Sequence, residues 1–176
     1  MKRAARRLGV NLTHTPIDRL AGIISRAKND LRSPETFEPR WGRPADEVAV
    51  RLWPVYQRMM LECNAVDFDD LLLHVARLIG ENPDLRARLD AKHRFILVDE
   101  YQDTNAAQYA ILRGLSIDQP NLSVTGDPDQ AIYGWRGASI RNILEFERDY
   151  PAATVVKLEH NYRSTSNILA TADRLI

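Results

Sequence analysis

The sequence predicts an α/β fold, in which a helical region extending to about residue 90 precedes a parallel sheet. Apolar residues recur at helical spacing up to that point. From residue 94 onward, short apolar runs alternate with helix-like segments, and polar residues cluster where the runs end. Alternation of strands and helices with short connections is typical of a parallel sheet.

In the helical region, Thr15-Pro16 predicts the start of a first helix with Thr15 as its cap. Its apolar face comprises Ile17, Leu20, Ile24, Ala27 and Leu31. Residues 33–44 contain three prolines and a glycine, which predicts an irregular connection. A second helix follows, marked by Val48, Leu52, Val55 and Met59, and Pro54 is expected to kink it.

A third helix is predicted to begin at Asp67 as its N-cap and to stop at Gly80, and Asn82-Pro83 opens a short fourth one. Cys63 lies in a helical-looking stretch and is expected to be a small buried side chain. Because it is the single cysteine, it cannot form an internal disulfide, which indicates a reducing, cytoplasmic setting.

The α/β region is predicted in the order βαβαβα. The segments are a strand at 95–98 buried on both faces, a helix at 105–115 capped by Thr104, a strand at 122–125, a helix at 139–150, a strand at 154–158 and a helix at 166–176.

The chain of 176 residues has 24 basic and 24 acidic side chains. A net charge of zero argues against a simple cationic nucleic-acid binder. The zero is a sum, however, because residues 1–58 carry 12 basic and 6 acidic side chains and residues 59–176 carry 12 basic and 18 acidic ones. No apolar run approaches the roughly 18 residues that span a bilayer, and no apolar signal core follows the basic start.

All three predicted strands end in polar residues, in segments 99–103, 126–130 and 159–163. The carboxyl ends of parallel strands meet at one edge of a sheet, where ligands bind. We therefore expect these segments to converge on a metal–phosphate site. An isolated Asp-Glu pair after a strand is more often a solvated loop, but the two other strand ends favour the site.

Each of these strand ends offers a group suited to phosphoryl transfer. Asp99 could hold Mg²⁺, and Glu100 could accept a proton from an attacking water. Gln130 could sense a terminal phosphate or orient the water, and Arg163 could neutralise charge on the transferred phosphate.

Aromatic residues at two places in the sequence could either pack in the core or contact a ligand. Tyr133 and Trp135 lie in a glycine-containing loop beside Arg136, where packing in the core and stacking on unpaired bases remain equally open. Phe68, at a helix start among three aspartates, is interpreted on chemistry alone as a staple that packs the helix onto the core.

A phosphate-binding P-loop, Gly-x-x-x-x-Gly-Lys-Ser/Thr, does not occur in the sequence. The chain has four lysines, and none of them follows a glycine.

Together these segments resemble the superfamily-one DNA helicases of the UvrD/PcrA/Rep family. The matching segments are 95–105 (FILVDEYQDTN, helicase motif II or Walker B), 126–138 (GDPDQAIYGWRGA, motif III), 158–165 (LEHNYRST, motif IV), 64–72 (NAVDFDDLL) and 24–31 (ISRAKNDL). They occur in the family's order and extend over nearly the whole chain.

The resemblance implies a role for each matching residue. It implies that Asp99 binds Mg²⁺, that Glu100 is the catalytic base, and that Gln130 and Arg163 contact the γ-phosphate of ATP. It also implies that Phe68, Tyr133 and Trp135 stack on single-stranded DNA. Arg136 would be a further DNA-contacting residue and would couple the nucleotide site to the DNA site.

The resemblance further implies a partial RecA-like sheet of the P-loop NTPase type after a helical subdomain. Residues 1–66 would be part of the family's helical insertion, and residues 67–176 the later part of the first motor domain. The function implied is that of a fragment of a 3′–5′ helicase acting in DNA repair or replication. Its partners would be single-stranded DNA, a duplex junction and the remainder of the helicase chain, with ATP and Mg²⁺ as cofactors.

Two alternatives stay open. Without a P-loop, the chain could be a non-catalytic module that binds DNA or a protein partner. A metal-dependent nuclease could use Asp99, Glu100, Asp127 and Asp129, although it would explain neither Arg163 nor the aromatic residues.

Overall fold

Helices fill the first half of the chain in the computed structural model, which describes residues 1–12 and 15–174. They are α1 (Lys2–Arg7), α2 (Ile17–Asn29), α3 (Pro44–Glu62), α4 (Phe68–Glu81) and α5 (Pro83–Lys92). This confirms the predicted helical region, although α1 was not anticipated from the basic start. The N-cap of α2 is Pro16, without a side-chain hydrogen bond, so the predicted cap by Thr15 is wrong. Leu31 lies beyond α2, with φ of 60°.

The helical region has its own apolar core between α1, α2 and α3. Its fully buried members are Ala4, Ala5, Leu20, Ile24, Ala27, Ala49, Leu52 and Trp53. Alanines on α1 and α3 allow these helices to approach closely, and the Phe37 ring packs edge-on against Trp53 at 5.7 Å between centroids. Pro54 lies inside α3, as predicted.

A buried ion pair joins this region to α4. The Lys28 ammonium group is fully buried and lies 2.6 Å from Asp67 Oδ2 and 2.7 Å from Asp70 Oδ1. Asp67 is the N-cap of α4, and its side chain accepts from the Asp70 N–H while Asp70 accepts from the Asp67 N–H, which forms a capping box. Burial alone would raise the pKa of Asp67, but the hydrogen bond from Lys28 and those from Asp70 N–H and Tyr56 together lower it.

The second half of the chain contains a short sheet and smaller helices. The elements are β1 (Ile96–Val98), α6 (Ala106–Gly114), β2 (Leu122–Val124), α7 (Arg141–Leu144), α8 (Phe146–Asp149) and α9 (Ser166–Ala172). β1 and β2 pair in parallel, with Ile96 opposite Leu122 and Val98 opposite Val124. The predicted α/β class, with helices before a parallel sheet, is confirmed.

Helix α6 connects β1 to β2 along the chain and packs tightly on α4. Gly114 has no room for a side chain, because a Cβ there would lie 2.4 Å from Ile79 Cγ2. Asn105 is the N-cap of α6 and accepts from the Gln108 N–H at 2.9 Å, so the cap is Asn105 and not the predicted Thr104. Thr104 instead donates its hydroxyl to the Tyr101 carbonyl.

The predicted third strand, at 154–158, is wrong. A strand needs a hydrogen-bonded neighbour, and in the described part of the chain none lies beside this segment, where Val156 and Leu158 are 73% and 86% exposed. β1 is also not buried on both faces as expected, since Leu97 is 83% exposed.

Three smaller expectations are corrected as well. The predicted helix at 139–150 is interrupted at Glu145 and forms α7 and α8. Cys63 is exposed because it follows the last residue of α3 and does not lie on its buried face. The predicted end of the last helix, at Ile176, lies outside the described residues.

Substitution of Lys28 by Met tests the buried ion pair. It would leave Asp67 and Asp70 without their cation, and we expect the free energy of unfolding to fall by about 3–5 kcal/mol. Urea denaturation followed by circular dichroism measures this. The matched control is Arg7→Met, which removes the exposed pair between Arg7 and Glu62 and should cost at most about 1 kcal/mol. Equal stability of the two variants would show that the pair is dispensable.

Candidate functional site

The ends of β1 and β2 meet, as expected for neighbouring parallel strands. The Thr125 N–H donates to the Val98 carbonyl at 2.8 Å, and the Tyr101 N–H donates to the Thr125 carbonyl at 2.9 Å. The Thr125 hydroxyl also donates to Asp99 Oδ1 at 2.5 Å. Thr125 was not singled out from the sequence, but it fixes the position of the first acidic residue.

Asp99 is an exposed, ionised carboxylate at the strand end. The hydrogen bond from Thr125, with a second from the Glu100 N–H, holds the pKa of the Asp99 carboxyl below its ordinary value. Mg²⁺ usually takes one or two protein carboxylates and keeps water or phosphate oxygens as its other ligands. A single exposed carboxylate of this kind fits that requirement.

Glu100 has an uncommon backbone conformation. Its φ of 51° and ψ of 46° are left-handed, a region that residues other than glycine, asparagine and aspartate rarely adopt and that costs on the order of 1–3 kcal/mol. The chain turns here into a 3₁₀ turn at Tyr101–Asp103. The turn brings the Gln102 side chain back against the Glu100 carboxylate.

Gln102 joins the two strand ends and is almost fully buried. Its Nε2 donates to Glu100 Oε2 at 2.7 Å, and its Oε1 accepts from the Asp127 N–H at 3.1 Å. Sequence reasoning gave this residue no role. Nothing in the sequence distinguishes a buried glutamine from the exposed polar residues around it.

Gln130 is held by hydrogen bonds within the turn that follows β2. Its Nε2 donates to Asp127 Oδ2 at 2.6 Å, while Asp127 Oδ1 accepts from the Asp129 N–H at 3.0 Å. Glu100 and Gln130 line one cavity of about 540 Å³, together with Gln102, Asp103, Asp129, Ile132 and Tyr133. The structure therefore brings together two of the predicted catalytic side chains.

Arg163 is not brought to this cavity. It follows the segment that fails to form a third strand, and its backbone N–H donates to the Asn161 side chain in an exposed turn. Without a strand at 154–158, nothing carries residues 159–163 to the sheet edge. The expected convergence of three strand ends is thus reduced to two.

The four aromatic and cationic residues predicted for DNA contact do come together. Phe68, Tyr133, Trp135 and Arg136 line a cleft of about 860 Å³ between α2, α4 and the loop after β2. The Tyr133 and Trp135 ring centroids are 6.4 Å apart. The Arg136 guanidinium lies 4.7 Å from the Trp135 ring and 5.4 Å from the Tyr133 ring.

Two of these rings face solvent and not the core. Phe68 is 89% exposed and Trp135 67% exposed. Phe68 is the first residue of α4, directly after the Asp67 cap, so the buried ion pair holds the backbone position that carries this ring. The staple interpretation of Phe68 is therefore wrong, and the rings are available to a flat ligand.

The cleft and the Glu100 cavity share part of their walls. Tyr133 and Asp103 line both. Asp103 Oδ1 is buried and has no hydrogen-bond partner among the described residues. A ligand that displaces Tyr133 in the cleft would consequently alter the surroundings of Glu100.

The carboxylates required by the nuclease alternative do not form a metal cluster. Within residues 1–12 and 15–174, no group of three or more His, Cys, Asp or Glu side chains is placed to hold a metal ion. Asp127 is instead engaged by Gln130 and by the Asp129 N–H.

Comparison with known proteins gives a consistent result. A family profile described as the UvrD/REP helicase N-terminal domain matches residues 1–151. The chain is 43% identical over all of its 176 residues to the ATP-dependent DNA helicase PcrA of Leuconostoc citreum, of which it covers 24%. It is 46% identical over 157 residues, 89% of this chain, to the PcrA helicase of Bacillus subtilis, of which it covers 21%.

These matches define the class of protein. The chain belongs to the UvrD/REP helicase family, and its sheet is part of that family's RecA-like N-terminal domain. It spans about a quarter or less of the relatives it matches. Among the helices that the structure describes, none combines the length and apolar character needed to cross a membrane.

Substitution of Gly126 by Ala tests the contact between the strand ends. A Cβ at Gly126 would lie 2.7 Å from Gln102 Oε1 and 2.8 Å from Ile143 Cδ1, so we expect a loss of about 1–3 kcal/mol in unfolding free energy. The control is Gly80→Ala in α4, where a Cβ meets nothing within 4 Å, and it should raise stability by about 0.5–1 kcal/mol. Urea denaturation of both variants gives the comparison. A change in unfolding free energy of the same sign in both variants would contradict the close approach of Gln102 and Ile143 to Gly126.

Proposed function

We propose that this chain is part of an ATP-dependent DNA helicase that moves 3′ to 5′ along single-stranded DNA in DNA repair or replication. The observation that carries the proposal is the shared wall between two sites. Glu100 and Gln130 line a cavity that adjoins, through Tyr133, a cleft of exposed aromatic residues. The printed names of the relatives, ATP-dependent DNA helicases, support the same function.

In this proposal the strand ends act on ATP. Asp99 would hold Mg²⁺, which when bound neutralises charge on the phosphates. Glu100 would accept a proton from the attacking water, and its hydrogen bond from Gln102 keeps the carboxylate in place. Gln130 would contact the γ-phosphate or orient the water.

Arg163 would also contact the γ-phosphate in the complete protein. Because it lies in an exposed turn, it could take this role only after segment 159–163 moves to the sheet edge. The β- and γ-phosphates would be held by residues that are not in this sequence, since it contains no P-loop. The remainder of the helicase chain is therefore the first partner that the proposal requires.

The aromatic cleft would hold single-stranded DNA. Phe68 and Trp135 present exposed rings on which bases can stack, and stacking accepts every base. Tyr133 would contact both the DNA and the nucleotide cavity, and Arg136, stacked on both rings, would couple the two. Residues 1–66 would serve as part of the helical insertion near a duplex junction, and residues 67–176 as the later part of the motor domain.

A second candidate is a module that binds DNA or a protein partner without catalysis. The observation that favours it is that the sequence contains no P-loop, while Phe68, Tyr133, Trp135 and Arg136 line one cleft. The two candidates agree on DNA binding and differ on ATP turnover, so separate experiments address these two activities.

Substitution of Trp135 by Ala tests DNA binding by the chain itself. The loss of a stacking ring should weaken binding of a fluorescein-labelled oligo(dT) by about 1–3 kcal/mol, measured by fluorescence anisotropy at one fixed salt concentration. Trp41→Ala is the matched control, because Trp41 is fully exposed and lies outside the cleft. Equal affinities of the two variants would contradict the assignment of the cleft.

Substitution of Glu100 by Gln tests the proposed role of this residue in ATP hydrolysis. We expect the isolated chain to show no ATP turnover, because nothing in it cradles the phosphates. Grafted in place of the matching segment of the Leuconostoc citreum helicase, it should support DNA-stimulated turnover. Glu100→Gln in the graft should lower that rate by about 10²–10⁴-fold, as expected for loss of a general base.

Glu147→Gln, on the exposed surface of α8, is the control in the graft and should retain the rate. Full activity of the Glu100 variant would refute its role as the base. Turnover by the isolated chain that Glu100→Gln abolishes would show that the phosphates are held without a P-loop.

A further inference from the structure

The aromatic cleft has a second wall, which belongs to the helical region. Residues of α2 line it opposite the loop that carries Trp135, namely Gly22, Ser25, Arg26 and Asn29. A single strand of DNA stacked on these rings would therefore pass beside α2.

Asn29 fixes this wall in place. It is buried, donates from Nδ2 to Asp69 Oδ1 at 3.1 Å, and accepts on Oδ1 from Asn105 Nδ2 at 2.8 Å. These two bonds join α2 to the first turn of α4 and to the N-cap of α6. Gly137, with φ of 92°, approaches the same side chain, since a Cβ there would lie 3.5 Å from Asn29 Cβ.

Two guanidinium groups line the cleft, and they differ in their contacts. Arg136 lies over the Trp135 and Tyr133 rings. Arg26 is exposed, and its side chain has no ion pair, hydrogen bond or ring contact in the part of the chain that the structure describes. Asp69, one of the carboxylates lining the cleft, is engaged by Asn29 and not by Arg26.

Arg26 lies three residues before Asn29, so the two occupy neighbouring positions on one face of α2. The buried asparagine thus anchors the helical turn that carries the arginine. A guanidinium carried by an anchored helical turn, in the same cleft as exposed rings, matches a nucleotide, whose base stacks on one side while its phosphate lies on the other.

We propose that Arg26 contacts a backbone phosphate of the single strand in the cleft, an inference that rests on the proposed DNA-binding function. The helical region then belongs to the strand-binding site itself. The contact would be independent of base sequence, because every nucleotide offers the same phosphate.

The salt dependence of binding distinguishes this contact from stacking. Each phosphate neutralised on a single strand contributes about 0.7 to the slope of log K against log salt concentration. Arg26→Ala should therefore reduce the slope by about 0.7 and weaken binding equally for oligo(dT), oligo(dA) and oligo(dC). Trp135→Ala should weaken binding and leave the slope unchanged.

The experiment is a titration of these labelled oligonucleotides with the chain between about 50 and 200 mM NaCl. Arg51→Ala is the matched control, since Arg51 is exposed on α3 and does not line the cleft. Arg26→Lys keeps the charge and should restore most of the slope. Thermal unfolding of each variant should match the wild-type chain, because Arg26 is exposed.

The outcomes separate the inference from the function on which it rests. A slope for Arg26→Ala equal to that for Arg51→Ala, with DNA binding intact in the wild-type chain, would overturn the role of Arg26 alone. Failure of the wild-type chain to bind any of the oligonucleotides would overturn DNA binding by the cleft, and the inference with it.

Discussion

The ion pair between Lys28 and the start of α4 is the interaction on which the rest of the structure depends. The fully buried ammonium group is held between Asp67 and Asp70, the same two side chains that cap α4. These contacts, together with the bonds from Asn29 to Asp69 and from Asn105 to Asn29, join the helical region to α4 and α6. Removing the cation would leave buried carboxylates uncompensated, which is why this cluster matters more than any exposed pair.

Through α4, the ion pair also determines where the two sites lie. Phe68 follows Asp67 directly and lines the cleft, while α4 packs on α6, the helix that connects β1 to β2. The sheet edge in turn depends on Gln102, which holds Glu100 and the Asp127 N–H together. The Glu100 cavity and the aromatic cleft therefore adjoin because neighbouring elements are tied by buried polar contacts.

Charge acts differently in the two halves of the chain. The basic excess of residues 1–58 includes Arg26, which faces the cleft. The acidic excess of the later residues includes Asp99 and Glu100 at the strand ends. A net charge of zero thus does not exclude a nucleic-acid site, because recognition in such a cleft depends on stacking and a few placed cations more than on bulk charge.

Local pattern by itself determined helices α2 to α6, the two paired strands, the cap at Asp67 and the segments that place the chain in its family, because periodicity, capping and motif spacing are properties of neighbouring residues. It failed at 154–158, where strand propensity has no neighbouring strand to pair with. Only the tertiary structure decided that Phe68 is exposed, that Gln102 is buried between two strand ends, and that Arg26 lines the same cleft as Trp135. Burial and opposition across a cleft depend on residues far apart in the chain, which no local spacing encodes.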